Sequence, residues 1–413
     1  MKISKKTISI ITIALLFIFF MFFEKFFFTP KEGDYISIEP VAIHTNGKHF
    51  AGSSTCIECH VNIYKTHIET AHFNSSAIAN KNNIKGSFEN GKNIYELNEQ
   101  IHLTMQAKQD TFYQNAFYQN DSLINSQRID IVIGSGTKGQ TYLNWNENQL
   151  SQIQISYFEP TNSWINSPGY PKGFITPNRP IQGRCMECHA TFAESTPSFN
   201  HRNVYNKSNI LYGIDCERCH GPAVDHVNFH KNNPEALKAM NIVSYKDLNR
   251  QQRLDAFALC HSGLRVQIQG LPFSFMAGDL LKQYSIPNYN EDSLNELDVH
   301  GNQYGLLTAS KCFIKSETMD CSTCHDVHKK QRNEAPTFNN RCISCHDVNH
   351  EVSCKVESSV SEASGNNCIE CHMPLTPSKV MRIQTTSDST LTSVQVRTHF
   401  IGVYKNKAEV EEK

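Results

Sequence analysis

The chain repeats the pattern Cys-x-x-Cys-His six times, and no other feature constrains its fold as strongly. Its 413 residues include 15 cysteines and 19 histidines. A redox dithiol or half of a zinc site explains one such unit but not a sixfold repeat of one spacing. The six units, in chain order, are Cys56-Cys59-His60, Cys185-Cys188-His189, Cys216-Cys219-His220, Cys321-Cys324-His325, Cys342-Cys345-His346 and Cys368-Cys371-His372.

This pattern is typical of covalent haem attachment. The two cysteine sulfurs form thioethers to the haem vinyl groups, and the adjacent histidine is the proximal iron ligand. We therefore predict six haem c groups. Covalent attachment lets little protein hold a large apolar cofactor, which suits a chain with only 39% hydrophobic residues. The predicted proximal ligands are His60, His189, His220, His325, His346 and His372.

The sixth iron position decides whether a haem carries electrons or binds small molecules. Histidines outside the motifs are numerous enough to give every haem a second histidine, so nothing in the sequence requires a vacant iron. We expect distal ligands that follow a motif at short range or stand alone near the end of the chain. The candidates are His72, His226, His300, His328 and His399, followed by His350 and His230.

The N-terminus predicts export. Three lysines precede the apolar run "TISIITIALLFIFFMFF", and no small-x-small cleavage site follows. We expect an uncleaved transmembrane signal anchor over residues 1–28 that holds the body in the periplasm at the inner membrane. The alternative is a soluble periplasmic protein left after signal cleavage.

Changes in composition along the chain divide residues 29–413 into five segments. We predict a linker over 29–50, a first haem-binding segment over 51–80 with a short helix, a β-rich insertion over 81–178, a multihaem domain with five motifs over 179–400, and a polar tail over 401–413. Alternating apolar residues in "RIDIVIGSG", "QTYLNWNENQ" and "LSQIQISYFE" indicate strands. "PEALKAMNIV" and "DLNRQQRLDAFALC" indicate helices.

The glycines Gly134, Gly136 and Gly139 satisfy the G-x-G-x-x-G pattern of dinucleotide-binding folds. That site needs a helix after the glycines, whereas "QTYLNW" favours a second strand. We therefore predict a hairpin turn here.

The segments "GSSTCIECHVNIYKTHIETAH", "GIDCERCHGPAVDH" and "DCSTCHDVHKK" resemble periplasmic multihaem c-type cytochromes related to the tetrahaem cytochrome that accepts electrons from hydroxylamine oxidoreductase. The resemblance implies closely stacked haems with mainly bis-histidine ligation. We expect a mainly α fold with little regular core beyond the haems, plus the β-rich insertion and the N-terminal transmembrane helix.

The expected function is electron transfer through six haems, between a quinol-side donor and a periplasmic acceptor. The chain would meet the membrane through its N-terminal helix. The alternative is a reductase or oxidase of a small nitrogen or sulfur oxyanion at a five-coordinate haem. A net charge of −1 shows no basic field for nucleic acid.

Three cysteines remain. Cys312 and Cys354 are candidates for a disulfide in an oxidising compartment, with separate free thiols as the alternative. Cys260 and His261 stand in "FALCHSG", where Phe257 occupies the place of a first cysteine, and related proteins often have a full motif followed by Ser-Gly. We favour a lost haem site that is now ordinary core. A seventh haem held by one thioether and another role for Cys260, such as a disulfide, stay open.

Overall fold

The computed structural model describes residue 19 and residues 37–197, 201–287, 297–346, 367–385 and 390–404. The strands are β1 Ala42–Ile43, β2 His49–Phe50, β3 Ser76–Ile78, β4 Ile94–Asn98, β5 Ile101–Lys108, β6 Thr111–Tyr118, β7 Leu123–Ile129, β8 Ile131–Ile133, β9 Gly139–Asn146, β10 Gln149–Phe158, β11 Ser163–Asn166, β12 Arg179–Pro180, β13 Ala190–Ser195, β14 Tyr205–Tyr212, β15 Arg265–Gln267, β16 Ser285–Pro287, β17 Leu375–Ile383 and β18 Thr392–Arg397.

Most of the α-helices in the described residues span nine residues or fewer. The helices are α1 Ser53–His67, α2 Gly183–Glu187, α3 Cys216–His220, α4 Val224–Asn232, α5 Arg250–His261, α6 Gln303–Thr308, α7 Lys311–Lys315, α8 Ala335–Ile343 and α9 Cys368–His372. Single 3₁₀ turns occur at Phe73–Ser75, Glu159–Thr161, Leu281–Gln283 and Cys321–Thr323.

The expectation of a mainly α fold is wrong. Over the residues that the structure describes, the fold is 25% helical and 30% strand. Each Cys-x-x-Cys-His unit needs only about one helical turn of roughly 3.6 residues per turn, so many motifs do not make a helical protein. Hairpins such as β13–β14, β15–β16 and β17–β18 form the frame between the motifs instead.

A regular core also exists apart from any haem, contrary to the expectation. A four-stranded antiparallel sheet, β4-β5-β6-β7, packs against a sheet ordered β11-β10-β9-β8-β3. Leu103, Met105, Tyr142, Ile153 and Trp164 come from both sheets and are almost fully buried in one cluster. Their burial follows from the alternation of apolar and polar residues along the strands.

A second cluster joins the sheets to the motif region. Because side chains alternate along a strand, β8 contributes Val132 to the core between the sheets, whereas Ile131 and Ile133 face the second cluster. Met186 lies inside the second motif and is buried in this second cluster at 1% exposure. The sheet therefore provides a rigid base for the second motif.

The predicted hairpin at Gly134 is confirmed. Strands β8 and β9 pair antiparallel, with Ile133 opposite Thr141. Gly134 has a φ of 99°, and a Cβ there would lie 2.7 Å from the carbonyl oxygen of Gly139. Glycine is needed at this position because other residues rarely adopt positive φ and the neighbouring backbone is too close.

The helix expectations held in part. The predicted helices after the first motif and before Cys260 are confirmed as α1 and α5. No helix forms over residues 234–243, where most side chains are exposed. A stretch with helical propensity but no buried face lacks the tertiary contacts that stabilise a short helix in water.

The expected N-terminal transmembrane helix falls, except for Phe19, outside the described residues. Within the described ranges, no helix combines the length and the apolar character needed to cross a bilayer.

Candidate haem-binding sites

Several of the motifs sit where a helix ends or breaks. Helices α3 and α9 are each one motif long and end at the motif histidine, His220 and His372. In α1 the backbone leaves helical geometry at His60, with φ −114° and ψ 36°. One helical turn places cysteines three residues apart on the same face, with the histidine beside them. The local structure thus directs both thiols and the imidazole of a motif to one side.

The first and third motifs are joined by a buried carboxylate. Glu217, inside the third motif, accepts hydrogen bonds from the backbone N–H groups of Ala51 and Gly52 at 2.8 Å and of Ala223 at 2.7 Å. Burial raises the pKa of Glu217 above its usual value. Asp215 caps α3 by accepting from the N–H of Cys216 at 2.7 Å. These bonds position α1 against α3.

Thiols from different motifs also lie in contact. Cys56 contacts Cys216, so the first and third motifs are neighbours. Cys342 contacts Cys368, which makes the fifth and sixth motifs neighbours. Close contact between motif cysteines places the groups attached to them side by side.

Among the described residues, four pairs of histidine rings lie at nearly one separation. One of them joins His328 to the buried His67, with ring centres 6.1 Å apart at 65°, and the other three include a histidine that follows a motif-like cysteine. The rings of His220 and His328 are stacked with centres 6.3 Å apart and an interplanar angle of 9°. Those of His325 and His399 are 6.3 Å apart at 27°. The third pair is His72 and His261, at 6.2 Å and 78°.

This separation fits a haem iron between two imidazoles. Two rings that share one metal have centres on the order of 6 Å apart, because each Nε2 lies about 2 Å from the metal and each ring centre roughly 1 Å further out. Burial, followed by the charge of His261, lowers the pKa of His72 to about 4. Burial and then His325 lower the pKa of His399 to about 4. Both imidazoles are thus neutral near pH 7, which is the form that binds metals.

Three motif or candidate histidines have the orienting hydrogen bond expected of metal ligands. The Nδ1–H of His220 donates to Val243, that of His226 to Met240 and that of His372 to Gly402, each at 2.8 Å to a carbonyl oxygen. A neutral histidine with its proton on Nδ1 presents the Nε2 lone pair to a metal. His60 lies near enough to His226 to lower its pKa further, after burial and His230.

Other histidines are hydrogen-bonded, packed or exposed in ways that do not pair them with a motif histidine. The buried ring of His44 binds Phe273 O through Nε2 at 2.7 Å and accepts from Asn46 N through Nδ1, so both ring nitrogens are occupied. His230 accepts from the N–H of Met240 at 3.4 Å and packs 4.7 Å from His226. His300 is exposed, in a turn before α6. The geometry therefore places the ring centres of His72, His328 and His399 6.2–6.3 Å from those of His261, His220 and His325. Among the described residues, His230 and His300 have no histidine ring at that separation.

Some predicted site residues cannot be placed. His350 and Cys354 lie outside the described residues, and with them the proposed partner of Cys312. Cys312 itself is half-buried near Cys324 and Cys345 of the fourth and fifth motifs. The disulfide stays a prediction. His346 is exposed at the end of the described fifth motif.

The sequence analysis missed the charged residues that hold the motifs together. Besides Glu217, Arg184 beside the second motif contacts Glu187 at 2.6 Å and donates to Leu259 O at 2.7 Å. Arg397 in β18 donates to Ile369 O and Met373 O, at 2.9 and 2.8 Å, around the sixth motif. A charged residue inside or next to an attachment motif indicates such contacts, because a buried charge needs hydrogen-bonding or ionic partners.

The comparisons with known proteins agree with this chemistry. A model of the family "Cytochrome c554 and c-prime" matches residues 171–221, which contain the second and third motifs. No curated protein matches the chain. The crystal structure of the outer cell wall cytochrome OcwA is similar in fold, with a TM-score of 0.52 and 17% identity over 85% of this chain and 79% of that one. The six motifs, the family-model match and the similarity in fold together support a multihaem c-type cytochrome.

Proposed function

We propose that the protein is an electron carrier outside the cytoplasm that holds six haem c groups at its intact motifs and relays electrons between a quinol-side donor and an acceptor protein. Haem c is attached outside the cytoplasm, and the similar OcwA is named as an outer cell wall cytochrome, which supports the compartment. Bound haem with two histidine ligands supplies one-electron transfer at low potential.

The observation that carries the proposal is the pairing of motif histidines with distant histidines. His328 stands opposite His220 and His399 stands opposite His325, each with ring centres 6.3 Å apart. When both axial positions are filled by protein, no position is left for a substrate. These two sites therefore favour electron transfer over catalysis.

We assign His226 as the distal ligand at the first motif. Its Nδ1–H donates to Met240 O, which leaves Nε2 available, and His60 lies close enough to affect its pKa. Lys231 in α4 also pairs with Glu58 in α1 at 2.7 Å, so the two helices are neighbours here. The hydrogen bond to Met240 O orients the His226 imidazole, and such bonds to the ligands are one means by which a protein sets the potential of a haem centre.

Ligation state tests the proposal directly. The mature protein should show only six-coordinate, low-spin ferric spectra, and carbon monoxide should not bind after reduction. A high-spin fraction of about one haem, with carbon monoxide binding and turnover of nitrite, hydroxylamine or sulfite, would instead support the oxyanion enzyme.

A further inference from the structure

We propose that Cys260 and His261 hold a seventh haem through a single thioether, with His72 as the distal ligand. The inference rests on the proposed electron-relay function and adds a station to it.

The local structure around Cys260 is that of an intact motif. Helix α5 ends at His261, as α3 ends at His220 and α9 at His372. Helix α5 is anchored in the interior by Leu254, Ala258 and Leu259, which are 1–4% exposed.

The side of α5 that would face a haem is more open. Phe257, Cys260 and His261 are only half-buried. The ring centre of Phe257 lies 6.5 Å from that of Tyr245. Ala258 and Leu259 belong to a buried cluster against which Cys260 packs, so Phe257 and His261 are the more accessible residues of "FALCH".

His261 also has a histidine opposite it. Its ring centre lies 6.2 Å from that of His72, compared with 6.3 Å for the two pairs formed by intact motifs. The backbone of His72 is fixed by the N–H of Ile214, which donates to the His72 carbonyl oxygen at 2.8 Å. The backbone of the 3₁₀ turn that follows His72 is tied to the second motif, since Ser75 and Ser76 both donate to the carbonyl oxygen of His189.

The thiol of Cys260 lies in contact with a cysteine thiol of another motif. Cysteine thiols of the intact motifs also lie in contact with one another. The thiol that Cys260 contacts is that of Cys188, the second cysteine of the second motif. The contact is reciprocal along the backbone: Cys188 Sγ lies 3.8 Å from Leu259 O and Cys260 Sγ lies 4.0 Å from Glu187 O. Intact motifs also have thiols in contact, between first cysteines at Cys56–Cys216 and Cys342–Cys368, whereas Cys188 and Cys260 both stand at the second-cysteine position. Thiol contact between neighbouring motifs therefore recurs in this fold and does not single out a disulfide.

The Cys260–His261 site lies between the second and fourth motifs. Arg184 next to the second motif donates to Leu259 O, and Arg253 of α5 pairs with Asp320, the residue that caps the fourth motif, at 2.6 Å. A haem at His261 would stand between the second and fourth motifs and connect them.

The attachment balances without an added oxidant. The Sγ–H of Cys260 adds across one haem vinyl group, with sulfur bonding to the inner vinyl carbon and the hydrogen going to the outer carbon. The second vinyl group stays intact beside Phe257, since no thiol is present there.

Intact mass of the mature full-length protein tests the inference. We expect seven haem masses on the wild type, six on Cys260→Ala and seven on the control Cys312→Ala. Pyridine haemochrome spectra should show a component shifted to longer wavelength, because one vinyl group stays conjugated. The variant Phe257→Cys should keep seven haems and lose that component.

Six haems on the wild type with a free thiol at Cys260 would overturn the inference, as would a Cys188–Cys260 disulfide with five haems. The six-haem result would leave the proposed relay intact, whereas the five-haem result would also remove the haem of the second motif from it; the ligation spectra test the relay separately. A seven-haem protein with a high-spin, substrate-binding haem would instead overturn the relay and keep the seventh site.

Discussion

The rings of His325 and His399 lie stacked 6.3 Å apart, although one belongs to the fourth motif and the other follows the last strand of the fold. Ser310 links the same region, since its hydroxyl donates to His399 O at 3.3 Å and accepts from Ile401 N at 2.8 Å. The chain end is thereby fastened against the fourth motif, and His399 is presented to His325.

Removing His399 should open one haem. We expect His399→Ala to keep every covalent haem, because the thioethers are unaffected, and to convert one haem to a high-spin form that binds carbon monoxide. Absorption and magnetic circular dichroism spectra measure this. The exposed His49 provides the control, and His49→Ala should stay fully low-spin. A wholly low-spin His399→Ala protein would refute the assignment.

Orientation of the ligand planes should be visible by electron paramagnetic resonance. Near-parallel rings, as in His220 and His328 at 9°, split the iron orbitals and give rhombic low-spin signals. Near-perpendicular rings, as in His72 and His261 at 78°, leave two orbitals almost degenerate and give a signal with a large principal g value. We expect His72→Ala to remove the large-g signal and leave the rhombic ones. Loss of rhombic signals alone would contradict the pairing.

The carboxylate of Glu217 should stabilise the fold through the hydrogen bonds that it accepts and not through its charge alone. In Glu217→Gln the amide nitrogen would point at one of three backbone N–H donors, which sets donor against donor. The free energy of unfolding should fall by about 1–3 kcal/mol. Denaturant titration measures this loss. Glu58→Gln, on the exposed pair with Lys231, should change it by less than about 0.5 kcal/mol.

The same residue predicts a pH dependence. Burial raises the pKa of Glu217 above 4.5 in the folded state, so the folded protein binds the proton more tightly than the unfolded chain does. Its contribution to stability is therefore complete below the unfolded pKa and is lost as the pH rises through the folded pKa. The difference in unfolding free energy between wild type and Glu217→Gln should shrink over that window. A difference that grows with pH would show the opposite shift.

The ion pair between Arg253 and Asp320 should hold α5 to the fourth motif. Their side chains are 24% and 7% exposed, and the Asp320 carboxylate also caps the motif turn. Arg253→Met leaves that carboxylate without its cation and should cost roughly 2–4 kcal/mol. Lys92→Met, in a pair exposed by more than 70% on both sides, should leave the free energy of unfolding essentially unchanged in the same thermal or denaturant assay. Equal effects of the two changes would contradict a structural role for Arg253.

The haem chemistry could be predicted from local spacing alone, because Cys-x-x-Cys-His needs only one helical turn to align its groups. The hairpin at Gly134 and the helices α1 and α5 were predictable for the same reason, since local turn chemistry and periodicity determine them. The mainly α expectation failed because motifs one turn long say little about the frame. That frame consists mostly of antiparallel pairs between consecutive strands, which the spacing of the motifs does not encode.

The sequence by itself therefore predicted haem c attachment at six motifs, since two thiols and an imidazole at this fixed spacing are typical of that chemistry. Only the tertiary structure decided which histidine faces which motif. His399 and His328 reach His325 and His220, and His72 reaches His261, because hairpins and buried ion pairs bring distant segments together. No local pattern can encode a distance across the fold. For that reason the Cys260 site, which lacks one cysteine in the sequence, is recognised by the histidine opposite it.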